Sequence, residues 1–177
     1  MKKILFLFVF TASIFTVNSQ AKVDKTGHLI GYAEKSDFSN QKFSTWFDRN
    51  YNAYTPNGDV VKKIKKKLKG VSVVCFMGTW CGDSKRETPR FYKVMEAADF
   101  NFKKKFKLVA VNRTKKTPDN LQKGLNIIRV PTFIFYKKGK EIGRYVEYPR
   151  ESMEKDFFKN LIRRILQTFL RKVNATS

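Results

Sequence analysis

Acidic residues are scarce in this chain. Fifteen Asp and Glu stand against thirty-seven Lys and Arg in 177 residues, a formal net charge of +22. That shortage excludes an acidic, metal-buffering protein and raises nucleic acid, anionic membranes and acidic molecules as partners. Cysteine is nearly absent. Cys75 and Cys81 are too few for a multi-disulfide scaffold or a four-cysteine zinc site. Histidine occurs once, as His28, which argues against a His-rich metal centre and against a Cys–His nucleophile pair. His28 lies alone beside an apolar stretch and reads as structural rather than as a ligand. The chain has no internal repeat and no low-complexity linker. It is rich in apolar side chains: 42% hydrophobic and 15% aromatic residues are enough for one packed domain with a short extension.

The first residues read as a secretory signal peptide, residues 1–19. Met1-Lys2-Lys3 is a basic head, Ile4 to Phe10 an unbroken apolar run, and a softer stretch reaches Val17. Cleavage is expected after Ser19 or Ala21. The run is short and diluted by Ser and Thr, which argues against a membrane span and leaves an N-terminal anchor that is kept as the alternative. No cysteine lies near the cleavage region, which disfavours a lipid anchor. The positive excess does not depend on Lys2 and Lys3 and belongs to the mature chain. Export to the periplasm or the exterior places both thiols in an oxidising compartment. It also removes genomic nucleic acid as a target and leaves weak contact with an anionic membrane or envelope polymer as a use for the basic surface.

Residues 20–58 read as an N-terminal extension packing on the domain. Gly27 to Ala33 suits a strand. Phe43, Trp46, Phe47, Tyr51 and Tyr54 recur at helical spacing and read as core cover, with a peptide-binding or subunit-facing surface as the alternative. Residues 59–177 read as the main domain. Asp59 is placed to cap a helix whose apolar face is Val60, Ile64 and Leu68, with lysines on the other faces. Val71 to Met77 is a β-branched run expected to form a buried strand. A loop through Gly78 to Ser84 leads into a helix with Phe91, Val94, Met95 and Ala98 on its apolar face. Lys107 to Val111 suits a strand and Thr117 to Gly124 a helix. The run Val130 to Tyr136 suits a strand beginning at a proline, Lys138-Gly139 a hairpin turn, and Ile142 to Val146 a further strand. Met153, Phe157, Leu161, Ile165, Phe169 and Val173 mark a closing amphipathic helix. The order β-α-β-α-β-β-α predicts an α/β layered fold with parallel strands followed by an antiparallel hairpin.

Four elements in this order resemble the thioredoxin family. Val73 to Gly82 resembles its active-site strand and turn. Pro89, eight residues past Cys81, stands where thioredoxins carry a helix-kinking proline. Ile128 to Phe133 resembles the segment holding the family's cis-proline, and Phe135 to Ile142 the hairpin after it. The resemblance covers Asp59 to Ile165. It implies a three-layer sandwich with a central mixed sheet of four to five strands flanked by helices, here with an N-terminal helical extension. It also implies that Pro131 is cis beside Cys81, and that Val130, Pro131 and Thr132 hold an extended substrate segment by strand addition. A thiol at the first turn of a helix meets unpaired N–H groups and the positive end of the helix dipole, which favour thiolate. Cys81 is therefore the expected nucleophile. Trp80 is expected to cover it, Gly82 to allow a tight turn into the helix, and Asp83 to oppose part of the dipole's effect.

Two departures define the expected chemistry. Ser84 replaces the second cysteine of the family's Cys-x-x-Cys, and a serine cannot resolve a mixed disulfide. Cys75 stands six residues before Cys81, where many thioredoxins bury an aspartate. It reads as a small buried hydrophobe, with the alternative of a second thiol that resolves Cys81. The motif Cys81-Gly82-Asp83-Ser84 also resembles the Cys-Gly-Phe-Ser of monothiol glutaredoxins, which hold an iron–sulfur cluster. Trp80, Pro89 and export set it apart. The expectation is an exported thiol–disulfide oxidoreductase serving cell redox homeostasis through one cysteine. Its partners are protein or small-molecule thiols and disulfides and an external reducing thiol, and it needs neither cofactor nor metal. The alternative is a redox-inactive binding or chaperone-like module on the same fold.

Overall fold

In a computed structural model of the chain, residues 21–162 are described. The signal-peptide reading of residues 1–19 and the distal positions Ile165, Phe169 and Val173 lie outside them. The N-terminal segment forms β1 (Lys22–Val23), β2 (Leu29–Ala33), a 3-10 turn (Lys35–Ser39) and α1 (Gln41–Asn52). Then follow α2 (Gly58–Lys67), β3 (Val71–Met77), α3 (Gly82–Ala97), the single turn α4 (Phe102–Lys105) and β4 (Phe106–Ala110). The hairpin β5 (Thr132–Lys137) and β6 (Lys140–Val146) precedes a closing helix over residues 153–162. The six strands make one mixed sheet in the order β1-β2-β4-β3-β5-β6, parallel only between β3 and β4. The expected four to five strands become six, because Lys22 and Val23 add a strand too short for any periodicity to reveal.

Strand alternation decides what each face buries. Val71, Val73, Cys75 and Met77 of β3 point to the face that carries α1, α2, α3 and the closing helix, as do Leu108 and Ala110 of β4 and Phe133 and Phe135 of β5. Phe76, Val109 and Ile134 point to the other face. On the first face Phe91 of α3 stacks on Phe133 with ring centroids 4.5 Å apart and meets Phe157 edge-on at 5.5 Å. The aromatic stripe of the extension joins this core: Phe43, Trp46 and Phe47 are buried, and Phe47 lies 5.8 Å from Tyr92 of α3.

Two local readings are corrected. Asn57, not Asp59, caps α2: its Oδ1 accepts from the Asp59 and Val60 amides, both at 3.1 Å. Asp59 sits in the first turn, where its charge suits the dipole, and the buried face is Val61 and Ile64 with Leu68 beside them. Thr117 to Gly124 is a run of turns rather than a helix. Thr117 Oγ1 accepts from the Leu121 amide at 2.9 Å, and Asn120, Gly124 and Asn126 take φ of 51°, 77° and 51°. These side-chain bonds and left-handed residues satisfy the backbone locally and interrupt a helix. The third layer of the sandwich is therefore chain in turns. The hairpin forms as its residues require, with Lys138 and Gly139 both at positive φ, 52° and 72°, as a two-residue turn of that twist demands.

Candidate active site

The loop after β3 carries Cys81 to the start of α3. Cys81 has extended backbone (φ −93°, ψ 128°) and caps the helix, its carbonyl accepting from the Lys85 amide at 3.0 Å. Its side chain is half-buried, and Sγ donates to the Val130 carbonyl at 3.3 Å. The Val130–Pro131 peptide is cis. Thr132 opens β5, and its hydroxyl donates to the Arg129 carbonyl at 2.6 Å. The Pro131 carbonyl accepts from the Glu147 amide at 2.8 Å, so the turn after β6 is fastened to the same spot. Around it, Ile128, Val146 and Tyr148 stand exposed. Cys81, Val130, Pro131 and Thr132, far apart in sequence, are thus brought together.

Trp80 closes the other side. Its indole Nε1–H donates to the Val111 carbonyl at 2.8 Å, and the Arg113 guanidinium lies over its ring at 5.4 Å. Gly78 makes room for it: a Cβ there would sit 2.5 Å from the ring. A Cβ on Gly82 would meet nothing within 4 Å and its φ is not positive, so the turn into α3 does not require glycine. The Asp83 carboxylate is paired with the Arg86 guanidinium at 2.7 Å, which offsets the charge it was expected to present. Ser84 is fully buried, and its Oγ accepts from the Gly78 amide at 3.2 Å. At the place of a resolving thiol stands a hydroxyl that clamps the loop.

Cys75 lies mid-strand in β3, between Leu108 and Phe133 and fully buried among the larger core. Burial alone pushes its thiol well above the usual cysteine range. Cys81 packs against the smaller cluster instead. This environment suits a buried hydrophobe and leaves Cys75 without the activation that disulfide exchange needs.

Three features went unread in the sequence. Thr79, buried, accepts from the Leu29 amide at 3.1 Å and lies 3.3 Å from His28 Nδ1. Since the amide is the donor there, the threonine hydroxyl hydrogen is available to Nδ1. Burial lowers the His28 pKa, Asp24 opposes this, and Lys42, Arg113 and Lys85 add to it. Second, Glu87 is fully buried, its Oε1 accepting from Arg86 Nε (2.6 Å) and Arg90 Nη1 (3.3 Å) and its Oε2 from the Tyr145 hydroxyl (3.1 Å). Its place on the stripe with Phe91, Val94 and Ala98 was the available signal. Third, a recess of about 240 Å³ opens between the β1–β2 loop (Asp24, Thr26, His28) and residues 112–114, with Trp80 between them.

The thioredoxin family model matches residues 56–162, which leaves α1 and the strands before it outside the match. A thioredoxin-like protein of Acanthamoeba polyphaga mimivirus is 30% identical over 52% of this chain and 64% of its own, so the chain spans just under two thirds of that relative. A putative thioredoxin of Dictyostelium discoideum is 30% identical over 63% of this chain and 96% of its own. A structure of a protein of unknown function from Pseudomonas aeruginosa superposes with a TM-score of 0.50 at 13% identity, covering 81% of this chain and 94% of the other. It extends the likeness in fold to most of the chain.

Proposed function

The chain belongs to the thioredoxin family, and from that premise we propose that it is an exported thiol–disulfide oxidoreductase acting through Cys81 alone. The observation that carries this reading is the pairing of a half-exposed Cys81 Sγ, 3.3 Å from the Val130 carbonyl, with a buried Ser84 where a second thiol would stand. The Cys81 sulfur attacks one sulfur of a substrate disulfide. A mixed disulfide forms, and the other substrate sulfur leaves as a thiolate. Ser84 has no sulfur to displace the product, and Cys75 is enclosed, so an external thiol attacks the mixed disulfide and releases Cys81. An extended substrate segment pairs with the Val130 backbone, its side chains meeting Ile128, Val146 and Tyr148. The basic surface attracts acidic partners and makes weak, salt-sensitive contact with anionic envelope components.

Insulin reduction in dithiothreitol tests the exchange reaction. Turnover that falls to the uncatalysed rate in Cys81→Ser supports it. A native protein no faster than Cys81→Ser overturns it and favours the alternative, a binding module that has lost redox turnover. That alternative draws its support from Ser84 being locked to Gly78. Non-reducing gels should show Cys81-dependent adducts that persist until thiol is added. Export is tested by N-terminal sequencing of the mature protein, expected to begin at Gln20 or Lys22.

A further inference from the structure

We propose that the recess behind Trp80 binds the amino-carboxylate end of a low-molecular-weight thiol, and that this is the thiol which releases Cys81. The inference rests on the reading of Cys81 as the exchanging sulfur and names the partner that reading requires.

The walls of the recess carry two opposite charges that do not satisfy each other. Arg113, on the 112–114 side, makes no salt bridge or hydrogen bond among the described residues and is held only against the Trp80 ring. Asp24, on the hairpin side, uses Oδ1 to accept from the Thr26 amide (2.8 Å), the Thr26 hydroxyl (2.7 Å) and the His28 amide (3.0 Å). Those bonds hold its carboxyl below the usual range. Its Oδ2 has no partner among the described residues. A simple anion entering here meets Asp24 and a simple cation meets Arg113. A group bearing both charges, an α-amino carboxylate, satisfies each wall. His28 lines the same recess, its Nδ1 3.3 Å from the Thr79 hydroxyl.

Size and place complete the case. Sites for whole drug-sized ligands run from about 300 Å³ upward, so a recess of about 240 Å³ suits one end of a small molecule. Trp80 lines the recess and precedes Cys81 in the chain, so the recess adjoins the residue that carries the exchanging sulfur. The chemistry balances: the bound thiol, as thiolate, attacks the substrate sulfur of the mixed disulfide, the bond to Cys81 breaks, Cys81 departs as thiolate, and a new disulfide joins the small thiol to the substrate. Three of the lining residues come from a segment the family model does not cover.

Binding is measured first with thiol-blocked probes, which need no reactive cysteine. S-methylglutathione and S-methylcysteine are titrated into isotope-labelled protein while the Trp80 indole and the amides of residues 112–114 are followed by NMR. Saturable shifts, weakened roughly tenfold in Arg113→Gln and in Asp24→Asn, support the site. Saturation by both probes assigns the free amino acid end as sufficient, and saturation by S-methylglutathione alone assigns a peptide thiol. Absence of saturable shifts, or shifts unchanged by both substitutions, overturns it. A second measurement converts Cys81 to its methyl disulfide with methyl methanethiosulfonate, methanethiolate being a poor leaving group, and compares recovery of the free Cys81 thiol by glutathione and cysteine with recovery by 2-mercaptoethanol. The ratio of amino-carboxylate thiol to 2-mercaptoethanol should fall roughly tenfold in Arg113→Gln, and an unchanged ratio overturns the kinetic role. If Cys81 takes up no label, the proposed function fails, and the titration still decides the recess.

Discussion

On one face of the sheet Phe91, Phe133, Phe135 and Phe157 interlock beneath four helices. On the other, Phe76, Val109, Val111, Val130 and Ile134 lie under chain held in turns. Both faces are buried, but they are stabilised differently. The helical face holds itself by large interdigitating rings, while the thin face depends on backbone held by short polar bonds. The Trp80–Cys81 pair packs against the thin face. A nucleophile there can meet a partner without disturbing the main core.

Truncation is the strongest way to break this contrast. Phe91→Ala should cost about 4 kcal/mol in urea unfolding, and Val109→Ala on the thin face about 2 kcal/mol. Equal losses would mean that the two faces are packed alike. Next in size is the buried polar cluster that ties α3 to β6. Glu87→Ala strands Arg86, Arg90 and the Tyr145 hydroxyl and should cost about 2 kcal/mol, moderated because both arginines reach solvent. Glu87→Gln, which keeps the shape, should cost less.

At the site itself, Gly78→Ala pushes a methyl into the Trp80 ring and should cost about 1–2 kcal/mol, with a shift in Trp80 fluorescence. Thr79→Val removes the acceptor for Leu29 and the partner of His28, for about 1 kcal/mol. The native protein should also lose stability as pH falls. The pKa of His28 is depressed by folding, so the unfolded chain takes up the proton first. The His28 contribution is complete above its ordinary value of 6.5 and is lost as pH falls below it toward the folded value. Urea midpoints across that range check the sign, and His28→Gln should flatten the slope. Smallest is Gly82→Ala, which meets open space and should stabilise α3 by a few tenths of a kcal/mol.

What the sequence made legible was local. The β3 run and the Lys138-Gly139 turn are each specified by residues within a few positions of one another, through alternation and positive φ, whereas the loop read through Ser84 gives way to α3 already at Gly82. Thr117 to Gly124 misled because its helical look is overridden by Thr117 Oγ1 and by left-handed Asn120, choices made atom by atom. Pairings across long separations had no sequence trace. His28 meets Thr79 across 51 positions, and Glu87 meets Tyr145 across 58. A histidine beside an apolar strand and a glutamate on an apolar stripe are visible, but their partners are not. Gly82 allows the turn into α3 without being needed for it: a Cβ there meets open space, which a sequence does not show.

The place of β2 in the sheet has one more consequence. Without it, β4 would end the sheet with Leu108, Val109 and Ala110 offering unpaired N–H and C=O groups to any passing strand, including that of a second copy. β2 takes up that row, and β1 beyond it is only Lys22 and Val23, too short to template a further chain. At the opposite margin β6 presents Lys140 and the Glu141–Arg144 pair. Both borders are thereby blunted against edge-to-edge aggregation, one by brevity and the other by charge, and the segment that brings His28 to Thr79 also guards the solubility of the sheet.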